Sequence, residues 1–331
     1  MTIRVGVIGT GIMGADHAAI LHRDVPGAAV TFLADMDLER AQRVAEGIPG
    51  ADLTQDAHEL ISSASVDAVL VASGDATHAE YVLACLDLRK PVLCEKPLAP
   101  TSGDCARIVA AQDAVVGDGL PLVSVGFMRR FDVGYTDLKS LITSGELGTP
   151  LVVHSTGRGV SAPEGNSEFT ITGSAIHDLD IIPWLLDSPA TEISWQAPRQ
   201  SPEVTDRQDP QLLLVRTADG VLSTVDVFLN ARYGYDIRCE VVGSSGTASL
   251  TEPSRIVRES GLSHGHSYAA DWRPRFADAY RIQNRTWIES LVSGTPTTLA
   301  TARDGLQAAL VAEAAIASMK AGGAFTAVAV A

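Results

Sequence analysis

The chain has 331 residues, 46% of them hydrophobic, which is enough for a large buried core and favours two domains. Its 25 lysines and arginines face 40 aspartates and glutamates, for a formal net charge of -15, which argues against nucleic acid as a partner because phosphate binding needs a basic face. No apolar run reaches the roughly 18 to 20 residues that span a bilayer, and no leader pattern opens the chain. We therefore expect a cytoplasmic protein without membrane contact.

The predicted elements of the first 125 residues alternate short apolar strands with helices, a pattern typical of parallel βαβ units. We predict an α/β domain over residues 1–125, built on a doubly wound parallel sheet of the Rossmann type. The predicted strands span residues 3–8, 29–34, 68–71, 92–94 and 122–125. The predicted helices span residues 11–23, 38–45, 76–86 and 101–114.

A glycine-rich turn joins the first predicted strand to the first helix. In a dinucleotide site, Gly9 allows the tight turn, Gly11 lets the backbone approach a pyrophosphate, and Gly14 lets the helix pack on the strand. Such turns also occur in other folds, but here strand, turn, helix, second strand and terminal acid follow in order. The predicted cofactor-binding residues of this turn are Gly9, Thr10, Gly11, Ile12, Met13 and Gly14.

Asp35 ends the second predicted strand, 21 residues after Gly14. A carboxylate at this position can accept hydrogen bonds from both ribose hydroxyls of the adenosine, and it repels a 2′-phosphate. The next residue is Met36 and not an arginine that could pair with that phosphate. The sequence therefore predicts NAD as the cofactor in preference to NADP.

Two further segments follow strands at the same predicted sheet edge, beside the dinucleotide crevice. Ser73, Gly74 and His78 follow the third predicted strand, and we predict that they contact the cofactor, with helix capping or packing as the alternative for His78. Glu95 and Lys96 follow the fourth, where the next proline keeps the Lys96 backbone extended. We predict cofactor contacts for both and a chemical role for the Lys96 ammonium, although such a tripeptide alone is often a solvated turn.

Beyond Gly126 the pattern predicts an α+β domain over residues 126–331, with an open and mainly antiparallel sheet. Turn signals separate the strands, so we expect consecutive strands to pair antiparallel. The sheet face without helices would need a partner, which predicts a homo-oligomer. The predicted strands span residues 151–155, 192–196, 211–217, 221–230, 236–242 and 247–250. Helices are predicted at 135–143, 174–186, 276–293 and 302–319, and a polar loop at 156–172.

The cysteines show neither disulfide nor metal spacing, and the histidines form no ligand cluster. We expect reduced, mostly buried thiols and no metal site. The cysteines are Cys85, Cys94, Cys105 and Cys239.

His177 lies on a predicted helix whose apolar residues form a separate stripe, and Asp180 shares its face at a spacing of i and i+3. A lone helical histidine packs or caps more often than it acts as a base. A carboxylate one turn away and a separate lysine on the cofactor rim favour the chemical interpretation.

These features combine with several longer motifs. They are the glycine turn, Asp35, the Glu95-Lys96-Pro97 tripeptide, and residues 126–131, 176–180, 209–211, 233–243, 271–272 and 275–276. Together they resemble the NAD(P)-dependent oxidoreductases grouped around glucose-fructose oxidoreductase and inositol dehydrogenase, and within that family the bacterial inositol 2-dehydrogenases. The resemblance spans nearly the whole chain and implies a Rossmann domain, an α+β substrate domain and, usually, a tetramer built through the open sheets.

By this resemblance His177 matches the general base and Lys96 the catalytic lysine, while Met128, Arg129 and Tyr235 match positions that line the substrate pocket. Asp180 belongs to the family's His-x-x-Asp pattern, in which it binds substrate or orients the histidine. The chemistry agrees independently: oxidising a secondary alcohol requires removal of the hydroxyl proton, and a neutral histidine titrates near the working pH. An ammonium would stabilise the developing alkoxide.

Two glycines depart from the family pattern. Gly173 replaces an aspartate four residues before the histidine, and Gly159 replaces an asparagine after Arg158. We expect these glycines to enlarge the pocket and to remove hydroxyl contacts, which loop residues such as Glu164, Asn166 or Glu168 could restore. The alternative is a shift of the alignment by a residue or two in this loop.

The predicted function is NAD-dependent oxidation of a secondary hydroxyl of a cyclic polyol or sugar, by an enzyme like inositol 2-dehydrogenase. One alternative is a sugar or keto-sugar oxidoreductase of the same family with a non-inositol substrate. The other is a non-catalytic NAD-binding regulator, against which the presence of both Lys96 and His177 argues. The expected partners are a small polyol or sugar and further copies of the chain, as a homo-tetramer.

Overall fold

A computed structural model describes residues 1–117, 119–251 and 256–330. The chain forms two compact units. Unit 1 comprises Met1–Met128 and Asp278–Ala309, and unit 2 comprises Arg129–Ala277 and Leu310–Val330. The sequence predicted a domain boundary between residues 125 and 126. It remains a prediction, because unit 1 also includes Asp278–Ala309.

Strands and helices alternate through the first part of the chain, and strands dominate the second. In chain order the strands are β1 (Ile3–Ile8), β2 (Ala28–Ala34), β3 (Asp52–Thr54), β4 (Ala68–Val71), β5 (Val92–Glu95), β6 (Val123–Gly126), β7 (Pro150–Arg158), β8 (Ala190–Gln196), β9 (Gln211–Thr217), β10 (Leu222–Phe228), β11 (Asp236–Gly243), β12 (Thr247–Ser249), β13 (Arg258–Ser260), β14 (Ser263–Gly265), β15 (Ala300–Thr301) and β16 (Thr326–Ala327). The helices are α1 (Ile12–Arg23), α2 (Leu38–Ala45), α3 (Ala57–Ser62), α4 (His78–Asp87), α5 (Ser102–Val116), α6 (Val133–Thr143), α7 (Ser167–Phe169), α8 (Ile176–Leu186), α9 (Trp272–Ser293) and α10 (Ala302–Lys320).

The sheet of unit 1 has seven strands in the order β15-β6-β5-β4-β1-β2-β3. Strands β1 to β6 run parallel, and β15 pairs antiparallel with β6 at one edge. Strands β1, β4 and β5 are apolar almost throughout and buried, as a parallel sheet covered by helices requires. The predicted doubly wound Rossmann sheet is confirmed. The prediction omitted β3 and α3, because these short segments lack a sustained apolar run.

The strand order of this sheet reverses between the neighbours β1 and β4. From β1 the sheet grows through β2 to β3, and from β4 it grows in the other direction through β5 to β6. The connections therefore leave the carboxyl ends of β1 and β4 in opposite directions and open a crevice between them. The segments after β1, β4 and β5, which carry most of the predicted cofactor residues, all lie along this edge.

The sheet of unit 2 has seven strands in the order β12-β11-β7-β10-β9-β8-β16. As predicted, β8, β9 and β10 pair antiparallel in sequence, and so do β11 and β12. The prediction is wrong for β10 and β11, because β7 lies between them, parallel to β10 and antiparallel to β11. Residues 229–235 connect β10 to β11, a stretch longer than a tight hairpin turn, so this connection can pass β7.

The two faces of this sheet differ in burial. Along β9 and β10 buried residues alternate with partly exposed ones, so that one face packs within the unit. The opposite face carries a mixture of apolar and polar side chains, among them Leu214, Thr224 and His154. This mostly antiparallel sheet with a partly exposed face is the α+β architecture that the sequence predicted.

The predicted polar loop at residues 156–172 is wrong at both ends. Strand β7 continues to Arg158, and α7 begins at Ser167, after the Asn166 side chain, which accepts a hydrogen bond from the Phe169 N–H at 2.9 Å. Residues Thr170–Ala175 are π-helical and lead directly into α8. The segment has few apolar residues, so its helical backbone leaves no amphipathic period to detect.

All four cysteines are buried and free, as predicted. Burial raises the pKa of the Cys85 and Cys239 thiols to about 12, so neither thiol is activated as a nucleophile. Within the described residues, none of the helices combines the length and the apolar character needed to cross a bilayer.

Candidate functional site

The glycine turn of unit 1 has the geometry of a close-approach site. Gly9 adopts φ +87°, and a Cβ there would lie 2.5 Å from the Ala72 carbonyl oxygen. A Cβ on Gly14 would lie 1.7 Å from the Gly9 carbonyl oxygen, so only glycine lets α1 pack against this turn. A Cβ on Gly11 would meet no atom within 4 Å, so this residue borders open space at the start of α1. The turn therefore has the tight geometry and the open space at the helix start that a dinucleotide pyrophosphate requires.

Asp35 directly follows β2, and its carboxylate accepts hydrogen bonds from three residues. One oxygen accepts hydrogen bonds from the Thr10 N–H and hydroxyl at 2.7 and 2.8 Å, and the other accepts the Asp37 N–H at 2.9 Å. Arg40 of α2 donates to both oxygens, at 3.1 and 2.6 Å. Burial alone would raise the pKa of Asp35, but the hydrogen bonds from Arg40, Asp37 and Thr10 outweigh it and hold the pKa far below its usual range. Asp35 is therefore a fixed negative charge.

A crevice of about 340 Å³ lies along the carboxyl edge of the unit 1 sheet. Predicted residues that line it include Gly9, Gly11, Asp35, Ser73 and Gly74. The fold thus brings the turn after β1, the acid after β2 and the segment after β4 around one cavity. The lining residues that sequence reasoning missed include Arg40, Gln55 and Tyr81.

His78 opens α4 and is buried, with 1% of its surface exposed. Its Nδ1 lies 2.7 Å from the Pro97 carbonyl oxygen and its Nε2 lies 3.2 Å from the Ser73 carbonyl oxygen. These contacts match the packing interpretation that the sequence left open. They join the segment after β4 to the segment after β5.

Glu95 is the last residue of β5 and belongs to a buried polar cluster. One carboxylate oxygen accepts a hydrogen bond from His17 Nε2 at 2.8 Å, and the other accepts the Lys96 N–H at 3.2 Å. Burial would raise the pKa of Glu95, but the hydrogen bond and charge of His17, with Lys96 beside it, hold that pKa below its usual value. Lys96 follows on the same sheet edge as the crevice and is half-buried.

In unit 2, α8 carries His177 in its first turn, half-buried and next to the buried Asp178. Asp178 accepts hydrogen bonds from Arg129 Nη1 and from the Ser155 hydroxyl, both at 2.6 Å. Burial would lower the pKa of Arg129, but the charge of Asp178 outweighs it and raises that pKa above the usual value. Arg129, a predicted pocket residue, is therefore permanently charged. Its partner Asp178 directly follows His177 in the sequence.

The predicted residues Asp180 and Tyr235 also have defined contacts. Asp180 receives two hydrogen bonds from Arg130, at 3.0 and 2.6 Å, and both side chains of this ion pair are buried. Burial and the nearby Asp178 raise the pKa of Tyr235, while the charge of Arg129 and a hydrogen bond from it oppose that rise. The sequence shows two successive arginines, 129 and 130, and two aspartates, 178 and 180, but their pairing appears only in the fold.

Gly159 and Gly173, the two glycines that differ from the family pattern, do not create open space in unit 2. A Cβ on Gly159 would lie 2.8 Å from the Leu229 carbonyl oxygen, so the backbone of the β10 exit excludes a side chain there. A Cβ on Gly173 would lie 3.2 to 3.4 Å from three ring atoms of Phe169. The expectation that these glycines enlarge the pocket is therefore wrong, because a backbone oxygen and an aromatic ring occupy the space.

Two of the three loop residues expected to replace the lost contacts are engaged elsewhere. Asn166 caps α7, and Glu168 forms an ion pair with Lys320 at 2.9 Å. Met128, the remaining predicted pocket residue, is buried at the end of the unit 1 segment that leaves β6. Lys96 belongs to unit 1 and His177 to unit 2, so their convergence stays a prediction.

Comparison with known proteins agrees with the fold over most of the chain. Residues 3–115 match the oxidoreductase family with an NAD-binding Rossmann fold, GFO_IDH_MocA, and residues 135–249 match the GFO/IDH/MocA C-terminal domain. The chain is 52% identical to inositol 2-dehydrogenase 2 of Paenarthrobacter aurescens and 44% identical to inositol 2-dehydrogenase 1 of Saccharopolyspora erythraea. These alignments cover 98% of both chains in the first case, and 96% of this chain and 94% of the relative in the second.

A solved structure is also similar in fold over the whole chain. The crystal structure of myo-inositol dehydrogenase from Lactobacillus casei in complex with NAD(H) and myo-inositol matches with a TM-score of 0.95 and 34% sequence identity. The match covers 100% of this chain and 98% of that one.

Proposed function

The chain belongs to the GFO/IDH/MocA oxidoreductase family, and we propose that it is an NAD-dependent dehydrogenase that oxidises a secondary hydroxyl of a cyclic polyol. The observation that carries this proposal is the placement of Lys96. It follows β5 on the same sheet edge as the Gly9–Gly14 turn and the crevice beside Asp35, where a dinucleotide fits. The names of the relatives, which are inositol 2-dehydrogenases, indicate the substrate class.

In the proposed mechanism His177 accepts the proton of the substrate hydroxyl. A neutral imidazole has a free ring nitrogen that can accept this proton. The Lys96 ammonium stabilises the negative charge that develops on the same oxygen. When bound, NAD supplies the hydride acceptor. Met128, Arg129, Asp180 and Tyr235 are the proposed substrate contacts, with Arg129 and Asp180 held in place by their ion pairs.

A panel of inositol isomers and sugars tests this function directly. NADH formation from each compound, and NADH consumption with the corresponding ketones, are followed by absorbance. We expect turnover with at least one inositol isomer. Turnover with sugars alone would move the assignment to the sugar oxidoreductase alternative, and NAD binding without any turnover would favour the regulator.

We propose NAD in preference to NADP because Asp35 places a fixed negative charge where a 2′-phosphate would lie. A free Arg40 would oppose this preference, since a guanidinium is the usual partner of a 2′-phosphate. In the wild-type chain the Asp35 carboxylate neutralises Arg40, so the pair presents no net positive charge.

Replacement of Asp35 by serine is therefore expected to reverse much of the preference. The change removes the ribose acceptor and releases Arg40, and each charged contact is worth about 1.5 to 3 kcal/mol, so the NADP to NAD ratio of kcat/KM should rise by about 100-fold or more. The double variant Asp35→Ser, Arg40→Ala is the matched control and should lose most of the gain with NADP. Unchanged selectivity in Asp35→Ser would exclude the ribose role of Asp35.

One observation favours the second candidate, a dehydrogenase of a sugar or other non-inositol ring. Phe169, 36% exposed, covers Gly173, one turn before the His177 helix, with an apolar ring and no hydrogen-bonding group. A substrate hydroxyl directed at this position would remain unpaired, at a cost of about 1 to 3 kcal/mol. A ring that presents C–H groups on that side avoids the cost and gains aromatic contact.

Replacement of Phe169 by alanine is expected to raise the KM of the preferred substrate by about 10-fold, the effect of losing roughly 1.4 kcal/mol of aromatic contact, with kcat nearly unchanged. Phe325→Ala, which truncates a similarly exposed phenylalanine of the same unit, is the control. A substrate ranking and KM values identical to wild type would show that the Phe169 ring does not contact the substrate.

We also propose a homo-tetramer assembled through the partly exposed face of the unit 2 sheet. Its mixed apolar and polar side chains suit a buried contact between copies. Light scattering measures the mass directly, and a value near the single-chain mass of 34.8 kDa would contradict the proposal.

A further inference from the structure

The Glu95-Lys96-Pro97 segment is anchored on both sides of Lys96 by buried histidines. Before the lysine, the Glu95 carboxylate receives a hydrogen bond from His17 at 2.8 Å. After it, the Pro97 carbonyl oxygen receives one from His78 Nδ1 at 2.7 Å. Each histidine is 1% exposed, and they come from different helices, α1 and α4. The family resemblance assigned no role to His17.

The first anchor is a closed hydrogen-bonded cluster. His17 Nδ1 lies 3.1 Å from the amide oxygen of Asn284 and 3.0 Å from its amide nitrogen, and Asn284 is fully buried in α9. Because Nε2 faces a carboxylate, it carries a proton, and Nδ1 either accepts from the Asn284 amide N–H in a neutral ring or donates to the amide oxygen in a charged one. The edge of the Tyr280 ring packs against the His17 ring at 5.5 Å. Buried polar groups of this kind keep one geometry because each would be costly to leave unpaired.

The Glu95 carboxylate lies close against the backbone of the neighbouring strand, where only glycine leaves space for it. A Cβ on Gly126, on the neighbouring strand β6, would lie 2.9 Å from the Glu95 carboxylate oxygen that His17 contacts. The other carboxylate oxygen accepts the backbone N–H of Lys96 at 3.2 Å. The cluster therefore fixes the backbone of Lys96 and not only the residue before it.

The second anchor holds the opposite end of the tripeptide. Both ring nitrogens of His78 face carbonyl oxygens, and a carbonyl oxygen can only accept. A neutral imidazole has one N–H, and the shorter contact places it on Nδ1, toward Pro97. In that tautomer Nε2 has no proton for the Ser73 carbonyl oxygen 3.2 Å away, so the hydrogen bond of His78 is the one to Pro97.

We propose that His17 and His78 are positioning residues for Lys96, acting through Glu95 and Pro97, an inference that rests on the proposed role of Lys96. A lysine has a flexible four-carbon stem, whereas a catalytic group must hold its position to within about 0.5 Å. Fixing the backbone on both sides of Lys96 limits where its ammonium can reach. Because α1 also begins at the phosphate-binding turn, the His17 contact places Lys96 in register with the cofactor site.

Matched substitutions separate loss of the hydrogen bond from loss of volume. Glutamine at 17 can reproduce the Nε2 donor and asparagine at 78 the Nδ1 donor, whereas leucine at either position cannot. A misplacement of about 1 Å can cost about 100-fold in rate, so we expect His17→Leu and His78→Leu each to lower kcat by about 10- to 100-fold. His17→Gln and His78→Asn should keep kcat within about 5-fold of wild type, and NAD affinity should change by less than about 3-fold in all four.

Two readouts distinguish positioning from a structural role. In a Lys96→Ala background the leucine substitutions should cause no further loss of residual turnover, since the group they position is gone. Hydrogen exchange of the chain without cofactor should accelerate at residues 94–98 in the leucine variants and stay unchanged in β2 and β4. A variant that fails to fold is replaced by Glu95→Gln, which keeps the size of the side chain and weakens the contact with His17.

Full kcat in both leucine variants would overturn the proposal, and so would an equal further loss in the Lys96→Ala background. Absence of polyol turnover in the wild-type enzyme would instead contradict the proposed function. In that case unchanged exchange at residues 94–98 in the leucine variants would still refute the anchoring.

Discussion

Replacement of Lys96 by alanine is expected to lower kcat by about 10²- to 10³-fold, the usual effect of removing one group that stabilises a developing oxyanion. The NAD dissociation constant should change by less than about 3-fold, because the glycine turn and Asp35 are unaffected. The loss should appear equally in kcat and kcat/KM, since the ammonium acts on charge that exists only in the transition state. Steady-state kinetics and fluorescence titration of NAD measure the two quantities.

Two further substitutions define what the lysine supplies. Lys96→Arg keeps the charge but spreads it over a larger, planar group, and it should recover only part of the rate. Lys90→Ala is the matched control, because this lysine of the same unit donates to the Ser63 carbonyl outside the crevice. Turnover of Lys96→Ala close to that of Lys90→Ala would exclude the lysine from the chemistry.

Replacement of His177 by alanine is expected to lower kcat by about 10²- to 10⁴-fold, the range typical of a lost general base. In the wild-type enzyme kcat/KM should fall at acidic pH, because a protonated imidazole cannot accept the substrate proton. The variant should lose that acid limb, and its residual rate should rise with hydroxide concentration. The pH profiles of both proteins provide the measurement.

The control for His177 is another histidine of unit 2. His264 is exposed on β14 and contacts Glu259, so His264→Ala should keep the wild-type rate and pH profile. A His177→Ala enzyme that retains the acid limb would assign that limb to a different group. Retention of the rate as well would remove His177 from the mechanism.

The sequence predicted the Rossmann part of the fold well because its signals are local. The glycines at 9 and 14 meet steric demands within a single turn, and the apolar runs of β1 and β4 stand out between helices. The same logic identified Asp35 and Lys96 as residues at strand ends. Each of these depends on neighbours in the sequence and on the rule that ligands bind at the carboxyl edge.

The contacts that the sequence could not provide join distant residues. His17 meets Glu95 across 78 positions and Asn284 across 267, so no spacing pattern connects them. Arg40 lies close to Asp35 in sequence, but it appears as one of several charged residues on an amphipathic helix. The sequence shows that residue 173 carries no carboxylate. It does not show that the ring of Phe169 lies over Gly173, since this contact depends on the π-helical backbone of Thr170–Ala175.

A crystal structure of the chain with NAD and its polyol tests the central claim most directly. The claim is that Lys96 and His177 act on one substrate hydroxyl beside the nicotinamide. We expect Lys96 Nζ and a ring nitrogen of His177 each within about 3.2 Å of the same substrate oxygen, with the carbon that bears it facing nicotinamide C4. A complex in which either side chain contacts a different part of the substrate, or lies away from the nicotinamide, would contradict it.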